Sequence, residues 1–133
     1  MTDREIWDFL LEKISNPYGV AGLMGNLYVE SKLQSAFLQS SYAKKLGMTS
    51  ETYTKAVDNG SYDNFVHDQA GYGLAQWTHW SRKEKLLEYA KKRSSSIGNM
   101  AMQLDFLWEE LQNYKTVVST LKIATSVREA SDV

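Results

Sequence analysis

The fold is decided by one stretch of the chain, Asn16-Pro17-Tyr18-Gly19-Val20-Ala21-Gly22-Leu23-Met24-Gly25-Asn26-Leu27-Tyr28-Val29-Glu30-Ser31. Asn16 is a favourable N-cap and Pro17 is tolerated at the first helical position, so a helix begins here. Its apolar stripe, at the helical period of 3.6 residues, consists of Val20, Leu23, Met24 and Leu27. The three glycines of the stretch weaken an isolated helix by about 1 kcal/mol each. Their spacing predicts close approach by a neighbouring helix or a ligand.

Helical patterns also lie on both sides of this stretch. Asp3 to Ile14 places its apolar residues on one face of a helix. Ser50 to Val57 reads as a short helix, which the turn sequence Asp58-Asn59-Gly60 closes. Ser81 and Glu84 have the spacing of a capping box and predict a helix from Arg82 to about Arg93.

The remaining segments complete a mainly α pattern. The cleanest amphipathic stripe, expected to be the central core helix, consists of Met100, Leu104, Leu107, Trp108 and Leu111. Residues 61–80 are less regular and predict a loop or a short hairpin. Ser126 and Glu129 form another capping box just before the sequence stops, so we expect the chain to end inside an element.

The composition bounds the possible functions. The chain has 133 residues, a net charge of −1, no cysteine and 43% hydrophobic residues. This length suits a single domain over residues 1–133 with a core of its own. A near-neutral charge argues against nucleic acid or an anionic membrane as partner. Without cysteine, disulfides, zinc-thiolate sites and cysteine nucleophiles are excluded.

Other classes of site and segment are also poorly supported. His67 and His79 lack ligand-like neighbours at helical spacing, so we expect neither a metal nor another cofactor. No apolar run approaches the roughly 20 residues that span a bilayer, and the N-terminus lacks the layout of a signal peptide. The basic residues between Arg82 and Arg93, Lys83 among them, are expected to form the solvated face of a helix, with contact to anionic polymers as the alternative.

Glu30 stands out among the acidic residues. The apolar stripe of its helix continues to positions 30 and 31, which predicts a carboxyl on or beside the buried face. Gly22 and Asn26 lie on the same row and leave room beside it. Partial burial and the negative end of the helix dipole would both favour the neutral carboxylic acid that general acid catalysis needs. The alternative is a glutamate in water, paired with Lys32.

The second unusual stretch reads Asp68-Gln69-Ala70-Gly71-Tyr72-Gly73-Leu74-Ala75-Gln76-Trp77-Thr78. Its glycines permit tight turns and close approach of a ligand. Tyr72, Trp77 and the nearby Trp80 offer flat faces with polar tips, and Gln76 can donate and accept hydrogen bonds at once. Such a set suits sugar rings. The alternative is a small core that contains these aromatic residues.

Taken together and in order, the two stretches resemble the lysozyme superfamily. Asn26-Leu27-Tyr28-Val29-Glu30-Ser31-Lys32-Leu33, followed by Gly71-Tyr72-Gly73-Leu74-Ala75-Gln76-Trp77, is similar to the goose-type and soluble-transglycosylase branch. The chain more closely resembles the bacteriophage tail-type lysozyme family. Three further blocks carry that resemblance, which covers roughly residues 5 to 132: Lys45-Leu46-Gly47-Met48-Thr49, Val57-Asp58-Asn59-Gly60-Ser61-Tyr62 and Trp80-Ser81-Arg82-Lys83.

This resemblance implies an α+β lysozyme-like fold, mainly α, in which the region around residues 61–80 borders a glycan cleft. It implies a muramidase that cleaves the β-1,4 bond between N-acetylmuramic acid and N-acetylglucosamine of peptidoglycan. Glu30 matches the catalytic proton donor, and Gln76 matches the segment that lines the cleft. Alanine at position 75 departs from the methionine usual in transglycosylases.

Further site residues follow from the same resemblance. Tyr72, Trp77 and Trp80 are expected to bind substrate beside Gln76. Asp68 is the nearest match to a second carboxylate, which would activate water and invert the anomeric centre. Asp58 and Asp63 are the alternatives for that role.

Two other functions stay open at this point. One is lytic transglycosylation, which leaves 1,6-anhydro ends, and the other is a non-catalytic peptidoglycan-binding module. The resemblance also implies delivery by a phage, either as part of a tail, with other domains attached, or as a released endolysin. Neither role requires insertion into a membrane.

Overall fold

The computed structural model describes residues 1–133 and is mainly helical. Its eight helices are, in chain order, α1 (Asp3–Ile14), α2 (Pro17–Ser31), α3 (Ser40–Leu46), α4 (Ser50–Asn59), α5 (Trp80–Lys92), α6 (Met100–Leu111), α7 (Lys115–Ile123) and α8 (Val127–Ser131). None of them combines the length and apolar character needed to cross a bilayer. The prediction of a mainly α chain is confirmed.

Contacts along the backbone group the chain into two compact units. The terminal unit comprises residues 1–33 and 107–133, and the middle unit comprises residues 34–106. The boundary after Phe106 falls within α6. The assignment of residues 1–133 to one domain stays a prediction.

In the terminal unit, α2 packs against α1, α7 and α8. Asn16 begins this helix as predicted, because its side chain accepts a hydrogen bond from the backbone N–H of Tyr18. Its Nδ2 also donates to the carbonyl oxygens of Leu121, Lys122 and Ala124. One asparagine therefore caps the start of α2 and satisfies the otherwise unpaired carbonyls at the end of α7.

The glycines of α2 explain how closely these helices approach. A Cβ at Gly19 would overlap the carbonyl of Leu121, and one at Gly22 would lie 2.5 Å from the Cβ of Ala130. A Cβ at Gly25 would meet no atom of another element within 4 Å. Close approach by a neighbouring helix is therefore confirmed at two of the three glycines, and α7 and α8 are the helices concerned.

In the middle unit, residues 61–79 form an irregular loop that contains one minimal hairpin. Tyr72 pairs with Trp77 in antiparallel register, with both backbone N–H groups donating across the pair, and Leu38 pairs with Tyr72 on the other side. Gly73 and Gln76, which flank the turn, both have positive φ, of 84° and 51°. The predicted loop or short hairpin in residues 61–80 is therefore present.

Gln103 of α6 fixes this hairpin in place. Its buried Oε1 accepts from the backbone N–H of Leu74, and its Nε2 donates to the carbonyls of Ser35 and Ile97. Three separate loops thus share one carboxamide, and each buried backbone group is satisfied.

The structure corrects the predicted start of α5 and confirms the predicted start of α8. α5 begins at Trp80 rather than Arg82, because the ring of His79 and not Ser81 caps it by accepting from the N–H of Ser81. α8 begins where the sequence predicts, since the Ser126 side chain accepts from the N–H of Glu129.

Candidate functional site

Glu30 lies in the last turn of α2 and is exposed. The buried stripe of that helix ends at Ser31 instead, whose hydroxyl donates to the carbonyl of Leu27. The expectation of a partly buried carboxyl at position 30 is therefore wrong, because the helix turns position 31 inward. The alternative of a glutamate in water agrees with this exposure, but its pairing with Lys32 is absent, and within the terminal unit no hydrogen bond or ion pair holds the carboxyl.

The row of small residues that leads to Glu30 is also filled. Gly22 faces Ala130, and Asn26 donates from Nδ2 to the carbonyl of Ser131 at 3.1 Å. This row was expected to leave open space beside the carboxyl, and α8 occupies that space up to Asn26. The room around Glu30 comes instead from its exposed position at the end of the helix.

The other five residues predicted for the site all lie in the middle unit, and Gln76 is central among them. Its Nε2 donates to the carbonyls of Phe37 and Gly73 at 2.9 and 3.0 Å. Its backbone adopts the left-handed conformation with a φ of 51°. Both donors are therefore used to hold the hairpin, whereas Oε1 receives no hydrogen bond in the middle unit.

Gly71 is buried and packs next to that oxygen. Its backbone is fixed by Gln39, which accepts from the Gly71 N–H through Oε1 and donates to the Gly71 carbonyl through its own N–H. A Cβ at position 71 would lie 2.8 Å from Gln76 Oε1 and 3.3 Å from Thr78 Oγ1. The missing side chain thus lets these polar oxygens pack close to the backbone of Gly71. Gln39 was not predicted, because nothing in its local sequence links it to the hairpin.

Tyr72 and Trp77 are fully buried, each with 0% exposure. Tyr72 packs between Tyr53 and Phe65, and its hydroxyl lies 2.6 Å from Thr54 Oγ1. Trp77 packs edge-on against Phe106 with ring centroids 5.5 Å apart. Neither ring offers a face to a sugar, so the alternative reading from sequence, that of a small aromatic core, describes these two residues.

Trp80 differs from the other two aromatic candidates. It is 50% exposed, and its ring lies nearly parallel to that of His67 with centroids 6.1 Å apart. Of the three predicted aromatic residues it alone is exposed, and the ring of His79 also lies near it, with centroids 5.8 Å apart.

Asp68 is the centre of a buried cluster. Its side chain is 3% exposed, and Oδ1 lies 2.6 Å from Lys83 Nζ. The Ala70 N–H donates to Oδ1, and the hydroxyls of Tyr53 and Tyr62 donate to Oδ2 at 2.6 and 2.8 Å. Four donors therefore occupy both carboxylate oxygens, an arrangement that favours a structural role over the activation of a water.

Lys83 was placed on a solvated face by the sequence analysis, and this is wrong, because the side chain is completely buried. Its Nζ donates to Asp68 and to the carbonyl of Ala70 at 2.8 Å, and lies 4.3 Å from the centroid of the Phe65 ring. A sequence signal existed, since Lys83, Leu86 and Ala90 share the buried face of α5 at helical spacing.

Burial governs the electrostatics of this cluster. Burial lowers the pKa of Lys83, and its hydrogen bond and ion pair with Asp68 oppose that shift. Burial is the main cause that raises the pKa of Tyr53 well above its ordinary range, and the hydrogen bond to Asp68 is the second cause. The lysine and the two tyrosine hydroxyls around Asp68 therefore supply the donors that an ionised buried carboxylate requires.

The two alternative carboxylates lie in different surroundings. The carboxylate of Asp58 is hydrogen-bonded to the loop after α5, since it accepts from Ser96 Oγ at 2.5 Å and from the Ile97 N–H at 2.9 Å. Asp63 is exposed. The structure contains no cluster of three or more histidine or acidic side chains arranged to hold a metal ion.

Comparison with known proteins gives one match. A family model described as phage tail lysozyme matches residues 1–133. Neither the curated proteins nor the solved structures include a match to this chain.

Proposed function

The chain belongs to the phage tail lysozyme family, and we propose that it is a muramidase that cleaves the β-1,4 bond between N-acetylmuramic acid and N-acetylglucosamine. The family suggests a peptidoglycan-lytic, glycosidase- or transglycosylase-type enzyme associated with a phage. The proposal adds the bond, the catalytic group and the surface that recognises the sugar. The match over the whole chain is the observation that carries it.

We assign the proton donor to Glu30. Breaking the glycosidic bond requires a proton on the departing oxygen, because an alkoxide is a poor leaving group and the transition state resembles an oxocarbenium ion. Glu30 is exposed and makes no hydrogen bond or ion pair in the terminal unit, so its carboxyl is free to meet a substrate oxygen.

We assign recognition of the sugar to the carboxamide oxygen of Gln76 and the hydroxyl of the exposed Thr78. Gln76 Oε1 and Thr78 Oγ1 lie close to the position that a side chain of residue 71 would fill. Sugar hydroxyls and acetamido groups need such acceptors and donors at short range. Hydrogen bonds from Gln76 Nε2 to two backbone carbonyls hold its oxygen in place, so little ordering is needed when a ligand binds.

The structure of the Asp68 cluster favours a second chemistry, lytic transglycosylation. Hydrolysis with inversion needs a second carboxylate to activate water, whereas transglycosylation uses the muramic acid 6-hydroxyl as nucleophile and one carboxyl as acid and then base. Asp68 has both oxygens occupied by buried donors. Hydrolysis would therefore rest on another group, and exposed Asp63 is the candidate that we name for it.

Product analysis separates the two reactions. Both begin with proton donation by Glu30 and rupture of the bond from the muramic acid C1 to the bridging oxygen. Addition of water at C1 gives a free reducing end, whereas attack by the 6-hydroxyl gives a 1,6-anhydro end that is lighter by one water. Mass spectrometry of muropeptides from digested sacculi reports which end forms. Reducing ends support the muramidase, and anhydro ends support the transglycosylase.

A binding module without catalysis is the remaining alternative. Burial of Tyr72 and Trp77 removes two of the three aromatic faces on which that reading depended. Loss of turbidity from a purified cell-wall suspension tests it, because a module that only binds leaves the glycan intact.

We further propose that the chain acts on the wall from a phage tail or as a released endolysin.

A further inference from the structure

A pocket of about 380 Å³ lies in the middle unit, where the last turns of α4 and α5 meet the loop that follows α5. Its volume falls within the range of about 300–1,000 Å³ typical of small-ligand sites. None of the residues proposed to cleave or bind glycan lines it. The lining includes three aliphatic residues, Val57, Leu87 and Ile97, and three polar ones, Asp58, Lys91 and Ser94.

Asp58 and Lys91 bring opposite charges to this pocket, yet they do not form an ion pair with each other. The Asp58 carboxylate accepts hydrogen bonds only from neutral groups, the Ser96 hydroxyl and the Ile97 N–H. Lys91 is exposed, and no hydrogen bond or ion pair holds its Nζ. One carboxylate and one ammonium group therefore line the same pocket, and each lacks a partner of opposite charge.

The end of α4 strengthens the negative side of the pocket. Asp58 lies in the last turn of that helix, where the backbone carbonyls form the negative end of the helix dipole. No basic residue occupies this turn. A cationic group of a ligand would therefore be attracted both by the carboxylate and by the helix end.

Lys91 and Ser94 form the donor side of the pocket. The loop that carries Ser94 is held to the end of α5, since the N–H groups of Ser94 and Ser95 donate to the carbonyls of Lys91 and Ala90 at 3.1 and 2.9 Å. Ser94 is exposed, and its hydroxyl makes no hydrogen bond. An ammonium group and a hydroxyl are therefore available to a ligand carboxylate.

The apolar part of the pocket is aliphatic. Val57 and Ile97 are buried and Leu87 is half-buried, so their side chains form a firm apolar wall. No aromatic ring lines the pocket, and it therefore lacks the flat face on which a sugar ring stacks. An aliphatic side chain suits this wall better than a sugar does.

We propose that this pocket binds an aliphatic amino acid group in its zwitterionic form. The ammonium group of the ligand lies on Asp58, its carboxylate lies on Lys91 and Ser94, and its side chain covers the aliphatic wall. Such a group occurs in a free amino acid and at the free end of a diamino acid in a cell-wall peptide. Only the second source rests on the proposed function, and the proposal goes beyond that function because the ligand is not a sugar.

Two-dimensional NMR titration of the full chain tests the proposal with two probes that contain no sugar. L-leucine represents the free amino acid, and the tripeptide L-Ala-γ-D-Glu-meso-diaminopimelate represents the wall peptide. Binding should shift the backbone amide signals of residues 94–97. Lys91→Met should weaken it about tenfold, because the change keeps the length of the side chain and removes a charge-assisted hydrogen bond. Lys92→Met is the matched control, since Lys92 is exposed on the same helix and does not line the pocket.

The outcomes separate the two sources and leave the catalytic proposal to its own test. Saturable binding of either probe that weakens in Lys91→Met and not in Lys92→Met supports the pocket. Binding of L-leucine assigns it to free amino acids, and binding of the tripeptide alone assigns it to wall peptides. Failure of both probes to shift residues 94–97 overturns the proposal, as does equal binding by the two lysine variants or by N-acetyl-L-leucine, which lacks the ammonium group. Wall lysis that persists when neither probe binds would show that the pocket fails and the proposed function stands.

Discussion

Replacing Lys83 by methionine should destabilise the protein severely. The ammonium group is completely buried and makes three hydrogen bonds, to Asp68 Oδ1 at 2.6 Å, the Ala70 carbonyl at 2.8 Å and the Tyr53 hydroxyl at 3.3 Å. Methionine keeps much of the volume but none of the donors. The variant therefore leaves a carboxylate that is 3% exposed without its counter-charge.

The magnitude follows from the cost of an uncompensated buried charge. Removing one partner of a buried ion pair typically costs about 3–5 kcal/mol. The hydroxyls of Tyr53 and Tyr62 and the N–H of Ala70 still donate to Asp68, so we expect about 3 kcal/mol, the lower end. That is a large share of the roughly 5–15 kcal/mol that stabilises a typical domain.

Urea denaturation followed by circular dichroism measures this loss. Lys85→Met is the matched control, because Lys85 is exposed on the same helix, and its free energy of unfolding should change by no more than about 0.5 kcal/mol. Asp68→Asn combined with Lys83→Met should cost less than the sum of the two single changes, since it removes both charges. Equal unfolding midpoints for Lys83→Met and Lys85→Met would refute the assignment of a buried, energetically coupled pair.

Two further predictions concern titration and helix packing. Burial raises the pKa of Tyr53 and Tyr72 above the ordinary value of 10.0, so above that pH the unfolded chain binds fewer protons than the folded one. The free energy of unfolding should therefore fall by up to about 1.4 kcal/mol per pH unit for each ring, once the buried lysine is neutral in both states. Tyrosinate absorbance that reaches its full value by about pH 12 while the protein stays folded would contradict this. Gly22→Ala should destabilise the protein by about 1–3 kcal/mol, because the added methyl group overlaps α8. Gly25→Ala should stabilise it by about 0.5–1 kcal/mol, because the added methyl group meets no neighbour. Melting temperatures of the two variants that shift in the same direction would contradict the packing described here.

Sequence patterns predicted the long helices well because periodicity and caps are local. Asn16 with Pro17, and Ser126 with Glu129, mark helix starts through contacts that span only a few residues. α3 and α7 were not predicted. No residue of α3 is buried, so its sequence carries no apolar stripe. In contrast, α7 buries Val118 and Leu121 at helical spacing, and that local pattern could have predicted it.

Sequence patterns identified residues for the candidate site but did not predict which of their side chains are buried. Asp68 and Lys83 are both visible as charged residues, yet their pairing depends on a fold that brings together positions fifteen residues apart. Similarly, a rotation of one position along α2 decides whether Glu30 or Ser31 faces inward. Aromatic residues with polar tips suit both sugar binding and a core, and only burial distinguishes Trp77 from Trp80.

The rate of cell-wall lysis by Glu30→Gln tests the central claim most directly. This change keeps the size of the side chain and removes its transferable proton, while an exposed position allows the fold to persist. We predict a loss of about 10²–10⁴-fold in the initial rate of turbidity clearance, with an unchanged melting temperature. A folded Glu30→Gln variant that clears walls at the parental rate would contradict the account.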